Sequence, residues 1–129
     1  MRSTEELNEL SRQILDSAIK VHRAMGPGLL EAVYHHCLVS ELRSRSLEVD
    51  TMVSVPLFYE TRPLNKEYII DLLVENEIIL ELKSVEGLLP VHEAQIISYL
   101  KLANKRLGFL INFNVPLMKD GFRRFVNNL

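Results

Sequence analysis

Two strongly apolar runs on either side of three polar residues, Tyr68-Ile-Ile-Asp-Leu-Leu-Val74 and Ile78-Ile-Leu-Glu-Leu-Lys83, constrain this chain more than any other feature. Residues 67–74 and 78–85 are rich in Ile, Leu, Val and Tyr and read as two β-strands, joined into a hairpin by Glu75-Asn76-Glu77. If the loop is centred on Asn76, residue numbers across the pair sum to 152, and Asp71 lies directly opposite Glu81. A two-residue loop would change the sum by one and send the carboxylates to opposite faces. Lys83 follows Glu81 by two positions, so strand alternation places both on one face.

Isolated charges inside apolar strands are costly to desolvate, and two facing carboxylates repel unless one is protonated or a cation lies between them. Magnesium suits such a pair because it takes one or two protein carboxylates, keeps several waters and accepts phosphate oxygens. Asp71 and Glu81 as ligands, with Lys83 beside them, point to phosphodiester cleavage. A cross-strand ion cluster in which Lys83 only neutralises the acids is the alternative reading.

The rest of the composition narrows the classes. The 129 residues suit one folded, soluble domain, 1–129, with 47% hydrophobic and 25% charged residues and no repeat or low-complexity segment. No apolar run approaches the ~20 residues that span a bilayer, and the first residues lack a signal-peptide core, so a cytoplasmic protein with no membrane partner is expected. Cys37 is the only cysteine and falls on a helical apolar stripe, as a structural thiol does. A formal net charge of −2 counts against tight, nonspecific duplex binding. Local basic patches are still available at Arg43 with Arg45, Lys101 with Lys105 and Arg106, and Arg123 with Arg124.

Along the chain, Ser3 and Glu6 form a capping box before Leu7, Leu10, Ile14, Ala18, Val21 and Met25, which predicts a helix over 4–25 ended by Gly26-Pro27-Gly28. A second helix is expected over 29–46, with Leu30, Val33, Cys37, Leu38 and Leu42 inward. A strand follows from Val49 to Leu57, with Pro56 marking an edge or bulge, and Thr61–Asn65 reads as a turn. After the hairpin, a third helix over 91–103 should pack Ala94, Ile97, Leu100 and Leu102 inward, and Leu107–Phe113 should be a strand. Periodicity does not decide the type of the element at 121–126. The order α-α-β-β-β-α-β implies an α/β fold with a central mixed sheet flanked by helices.

Asp71, then Glu81-Leu82-Lys83, then a helix carrying Gln95 and Tyr99 together resemble the PD-(D/E)XK nuclease superfamily, whose core is restriction-endonuclease-like. The first motif is Ile70-Asp71, without the proline of the superfamily name. Gly28-Leu-Leu-Glu31-Ala-Val-Tyr34 further resembles the signature of the GxxExxY protein family, and Ala94–Leu100 its second characteristic helix.

The resemblance implies Asp71 and Glu81 as ligands of magnesium or manganese, with Lys83 orienting water or stabilising phosphate charge. Glu31 would be the helical carboxylate, reaching the metal through water or acting on the nucleophile's proton. Gln95 and Tyr99, four residues apart, would face one phosphate or water network, Tyr34 would fix its helix or contact phosphate, and His92 could reach phosphate. The plainer roles are helix-dipole stabilisation for Glu31, packing for Tyr34 and Tyr99, surface exposure for Gln95 and a helix-start role for His92.

His35 and His36 diverge as adjacent helical residues, and His22 lies on another helix, so the three read as ordinary surface or boundary histidines. No phosphate loop, catalytic Ser-His-Asp order, zinc spacing or dinucleotide fingerprint is present. The expected function is metal-dependent hydrolysis of DNA. The alternatives are a nuclease-fold binding or assembly module with little turnover, and an RNA-directed nuclease. A homodimer is compatible with the small size.

Overall fold

The N-terminal capping box forms as the spacing requires: Glu6 N donates to Ser3 Oγ at 3.1 Å and Ser3 N to Glu6 Oε1 at 3.0 Å. It starts helix α1 (Thr4–Met25), which ends where Gly26 takes a positive φ of 72° and its amide returns to His22 O. Residues 1–129 are all described in this structure, a computed structural model. The remaining elements are α2 (Glu31–Ser44), β1 (Val49–Tyr59), β2 (Arg62–Val74), β3 (Ile78–Lys83), α3 (Pro90–Leu102), β4 (Leu107–Asn112), a 3₁₀ turn (Met118–Asp120) and β5 (Phe122–Val126).

The sheet runs in the order β1-β2-β3-β4-β5. Only β3 and β4 are parallel, with α3 as the crossover between them; every other neighbour pair is antiparallel. This is the expected mixed α/β architecture of a restriction-endonuclease-like fold. The element at 121–126 is a strand and extends the sheet beyond β4.

Helices cover both faces. One core cluster joins α1 and α2 to Leu72, Val74, Ile78, Leu80, Leu82, Phe109 and Ile111. The other joins Ile96, Tyr99 and Leu100 of α3 to Ile70, Leu73, Ile79 and Leu110. Leu72, Leu80 and Leu82 are fully buried, and each such side chain contributes about 1.5–3 kcal/mol. Helix α3 sits close because β4 presents Gly108: a Cβ there would stand 3.2 Å from both Ile96 Cδ1 and Leu100 Cδ2.

Three local expectations change. Helix α3 turns Ile96, Tyr99 and Leu100 inward, while Ala94, Ile97 and Leu102 are exposed. Polar residues His92, Glu93, Gln95, Ser98 and Lys101 are spread among the apolar ones around the helix, so periodicity does not single out its buried face. Leu30 precedes α2 and is 78% exposed, because the helix begins at Glu31. The turn lies at Glu60-Thr61 rather than 61–65: Tyr59 already pairs with Arg62. The polar residues that mimic a turn form a bulge, with Asn65 at a φ of 55° and Leu64–Lys66 facing the single residue Leu57.

Candidate functional site

The β2–β3 loop has the expected three residues, with Glu75 and Asn76 at φ 52° and 56°. Leu72 pairs with Leu80, Leu73 with Ile79 and Val74 with Ile78, so the numbers sum to 152 as anticipated. One step beyond this ladder, Asp71 stands opposite Glu81, and side chains take the place of main-chain partners. Leu82 N donates to Asp71 Oδ2 at 2.8 Å, and Asp71 N donates to Glu81 Oε2 at 3.3 Å. Each acid therefore holds the strand opposite its own.

Glu81 is 5% exposed, and its second oxygen, Oε1, is buried without a hydrogen-bond partner. Burial first, and then the hydrogen bond and charge of Asp71, push its carboxyl up to about 10. A carboxylate in this position needs a proton or a cation, because an unsatisfied buried acceptor is costly. Lys83 is half-buried nearby and enters none of the ion pairs of the chain. Its ammonium is thus not committed to a protein carboxylate.

Glu31 opens α2 and faces the same region. Partial desolvation, followed by the charge of Asp71, raises its carboxyl, while Lys83, His35 and His92 act the other way. No three His, Cys, Asp or Glu side chains converge into a closed metal cage. The residues that could hold a metal are Asp71 and Glu81, with the unpartnered Oε1 as the observation that fits an ion. Two carboxylates with positions left for water and phosphate suit magnesium or manganese.

Tyr99 is nearly buried, and burial, followed by the charges of Glu81 and Asp71, pushes its hydroxyl up to about 12. Its ring packs at 5.0 Å from Tyr68, and the side chain of Gln95, one turn earlier and exposed, acts against the upward shift. His92 Nδ1 accepts from Leu89 N at 3.0 Å, which ties this ring nitrogen to the start of α3 and leaves Nε2 free. Tyr34 is directed into the core instead. It is fully buried, stacks on Phe113 at 4.5 Å, donates its hydroxyl to Gly26 O at 2.5 Å and accepts from Leu29 N at 3.1 Å. The hydroxyl braces the 26–29 loop.

Several neighbours escape a sequence-only reading. His35, one turn after Glu31, has Nε2 3.4 Å from Asp71 O. Ser84 Oγ donates to Leu29 O at 2.6 Å, joining the loop before α2 to the segment after β3. Asn112 is buried, and its Oδ1 accepts from Val85 N and Asn114 N while its Nδ2 donates to Val85 O. A polar residue in the apolar run Leu107–Phe113 is the same signal that marked Asp71 and Glu81. The basic patches are largely occupied within the chain: Arg45 with Glu41, Arg106 with Glu77, Arg123 with Glu93, Arg124 with Asn8 and Lys105 with Asn76.

The mixed sheet thus carries paired acids and a lysine on its strands β2 and β3. Residues 8–125 match the PD-(D/E)XK nuclease superfamily, and the chain belongs to it. No curated protein and no solved structure matches the chain. No helix is long and apolar enough to cross a membrane.

Proposed function

We propose that this chain is a divalent-metal-dependent nuclease that hydrolyses phosphodiester bonds of DNA, and that within its superfamily it falls in the GxxExxY family. The observation that carries the reading is the unpartnered, buried Oε1 of Glu81 beside Asp71. Magnesium or manganese, when bound, supplies a Lewis acid and makes its bound water easier to deprotonate. Asp71 and Glu81 would hold the ion, and Lys83 presents an uncommitted ammonium to charge developing on the phosphate. Glu31 takes the nucleophile's proton, desolvation and the charge of Asp71 raising its carboxyl above the ordinary carboxylate range. Gln95 and Tyr99 orient phosphate or water from α3, and His92 offers Nε2 to phosphate. Lone Cys37, packed against the core, suits a reducing cytoplasm.

Metal-dependent cleavage of single- and double-stranded DNA, lost in Glu81→Gln and Lys83→Ala with the fold intact, is the expected result. Absence of cleavage across a broad DNA panel with either ion overturns the proposal. Matched RNA strands in the same assay decide the nucleic acid. Occupation of the basic side chains by internal partners favours a second reading, a binding or assembly module with little turnover. That reading is separated by calorimetry: a module need not bind either ion.

A further inference from the structure

Strands β1 and β2 change sides together at one point. In β2, Leu72 and Val74 pack under α1 and α2, and regular alternation would send Ile70 there too, yet Ile70 packs under α3. In β1, Val49 belongs to the α1/α2 side, whereas Val53 and Val55 belong to the α3 side. The register does not slip across this change: Thr51 pairs with Leu72 and Val53 with Ile70. The intervening residues Met52 and Asp71 make no regular pair.

Met52 has a φ of 52°, the left-handed region that an unbranched non-glycine residue adopts only at a cost, and its side chain is 58% exposed. Burial of Met52 therefore does not explain the conformation. What it accomplishes lies across the ladder. A residue at the point where a strand inverts belongs to neither face, so its side chain can project along the sheet. Asp71 does this, reaching Leu82 N of β3 at 2.8 Å.

We propose that Met52 is a positioning residue: its left-handed backbone, opposite Asp71, inverts both strands and swings the Asp71 carboxylate out of the sheet faces and onto β3. The local strain is held by the packing on either side and is exchanged for the placement of one carboxylate. The importance of that placement for catalysis rests on the functional reading above; the geometric claim does not.

The test uses the whole chain, labelled with ¹⁵N, and reads the Leu82 amide, which reports its hydrogen bond to the Asp71 carboxylate whether or not the protein cleaves anything. Met52→Val, whose branched side chain resists positive φ, should shift the Leu82 signal toward its position in Asp71→Ala and speed its hydrogen exchange at least about tenfold. Met52→Gly, which adopts positive φ freely, should leave the Leu82 signal in place and unfold at an equal or higher urea concentration than the wild type. A Leu82 signal and exchange rate unchanged in Met52→Val overturn the proposal. If Met52→Val does not fold, Met52→Gly decides: a displaced Leu82 signal or a lower urea midpoint overturns it. In a wild type that cleaves, kcat should fall about tenfold or more in Met52→Val and be retained in Met52→Gly. A wild type without metal-dependent cleavage whose Leu82 amide responds as described supports the role of Met52 while removing the nuclease reading.

Discussion

Asp71 and Glu81 each bond to the main chain of the strand that carries the other: Asp71 Oδ2 holds Leu82 N, and Glu81 Oε2 holds the amide of Asp71 itself. The two acids are thereby fixed by the backbone they occupy. What is left over is one buried oxygen, Glu81 Oε1, without a donor, and the desolvated carboxyl that carries it ties stability to pH.

The Glu81 carboxyl titrates near the ordinary 4.5 in the unfolded chain and at about 10 in the folded one. Between these values the unfolded state binds fewer protons than the native state, so metal-free stability falls as pH rises from about 4.5 to about 10. Urea denaturation in the presence of a chelator should show this decline. Glu81→Gln, which mimics the protonated form, should flatten it and be the more stable protein at pH about 8.

Lys83→Ala should reduce cleavage at least about a hundredfold, the scale of losing one preorganised electrostatic contact in a transition state. Since Lys83 is half-buried and makes no ion pair, the urea midpoint should change little. Single-turnover kinetics beside a denaturation curve check both halves.

Tyr34→Phe should cost about 1–3 kcal/mol of stability, because its hydroxyl joins Gly26 O to Leu29 N beneath the loop. The KM for DNA should stay close to that of the wild type, since the hydroxyl is directed into the fold. Denaturation and steady-state kinetics on the same preparation test the pair of outcomes.

Gly121→Ala should be among the most damaging small substitutions, because a Cβ would lie 2.1 Å from Asn112 O. The backbone must shift where Asn112 N bonds Gly121 O and where the Asn112 side chain holds Val85. A loss of about 1–3 kcal/mol or more is expected, measured by thermal unfolding.

The hairpin register was legible because loop length and strand alternation are local properties, and the sum of 152 follows from Glu75-Asn76-Glu77 alone. The α1 boundaries were legible for the same reason, through Ser3, Glu6 and Gly26. The buried face of α3 was not, since polar and apolar residues are mixed around the helix and its close approach is set at Gly108, across the chain. The turn signature at 61–65 was real but served a bulge, because the partner strand decides whether such residues close a hairpin or bend one. His35 and Asn112 join the site region through contacts 36 and 27 positions away, which no spacing rule reaches. Tyr34 was drawn toward the site by its motif, although packing on Phe113 engages it within the core.

Isothermal titration of the metal-free protein with Mn²⁺ tests the central claim most directly. Binding in the millimolar range or tighter, with release of a proton and loss in both Asp71→Asn and Glu81→Gln, is the expected result. An ion that fails to bind the wild type, or that binds all three proteins alike, contradicts a metal held between Asp71 and Glu81.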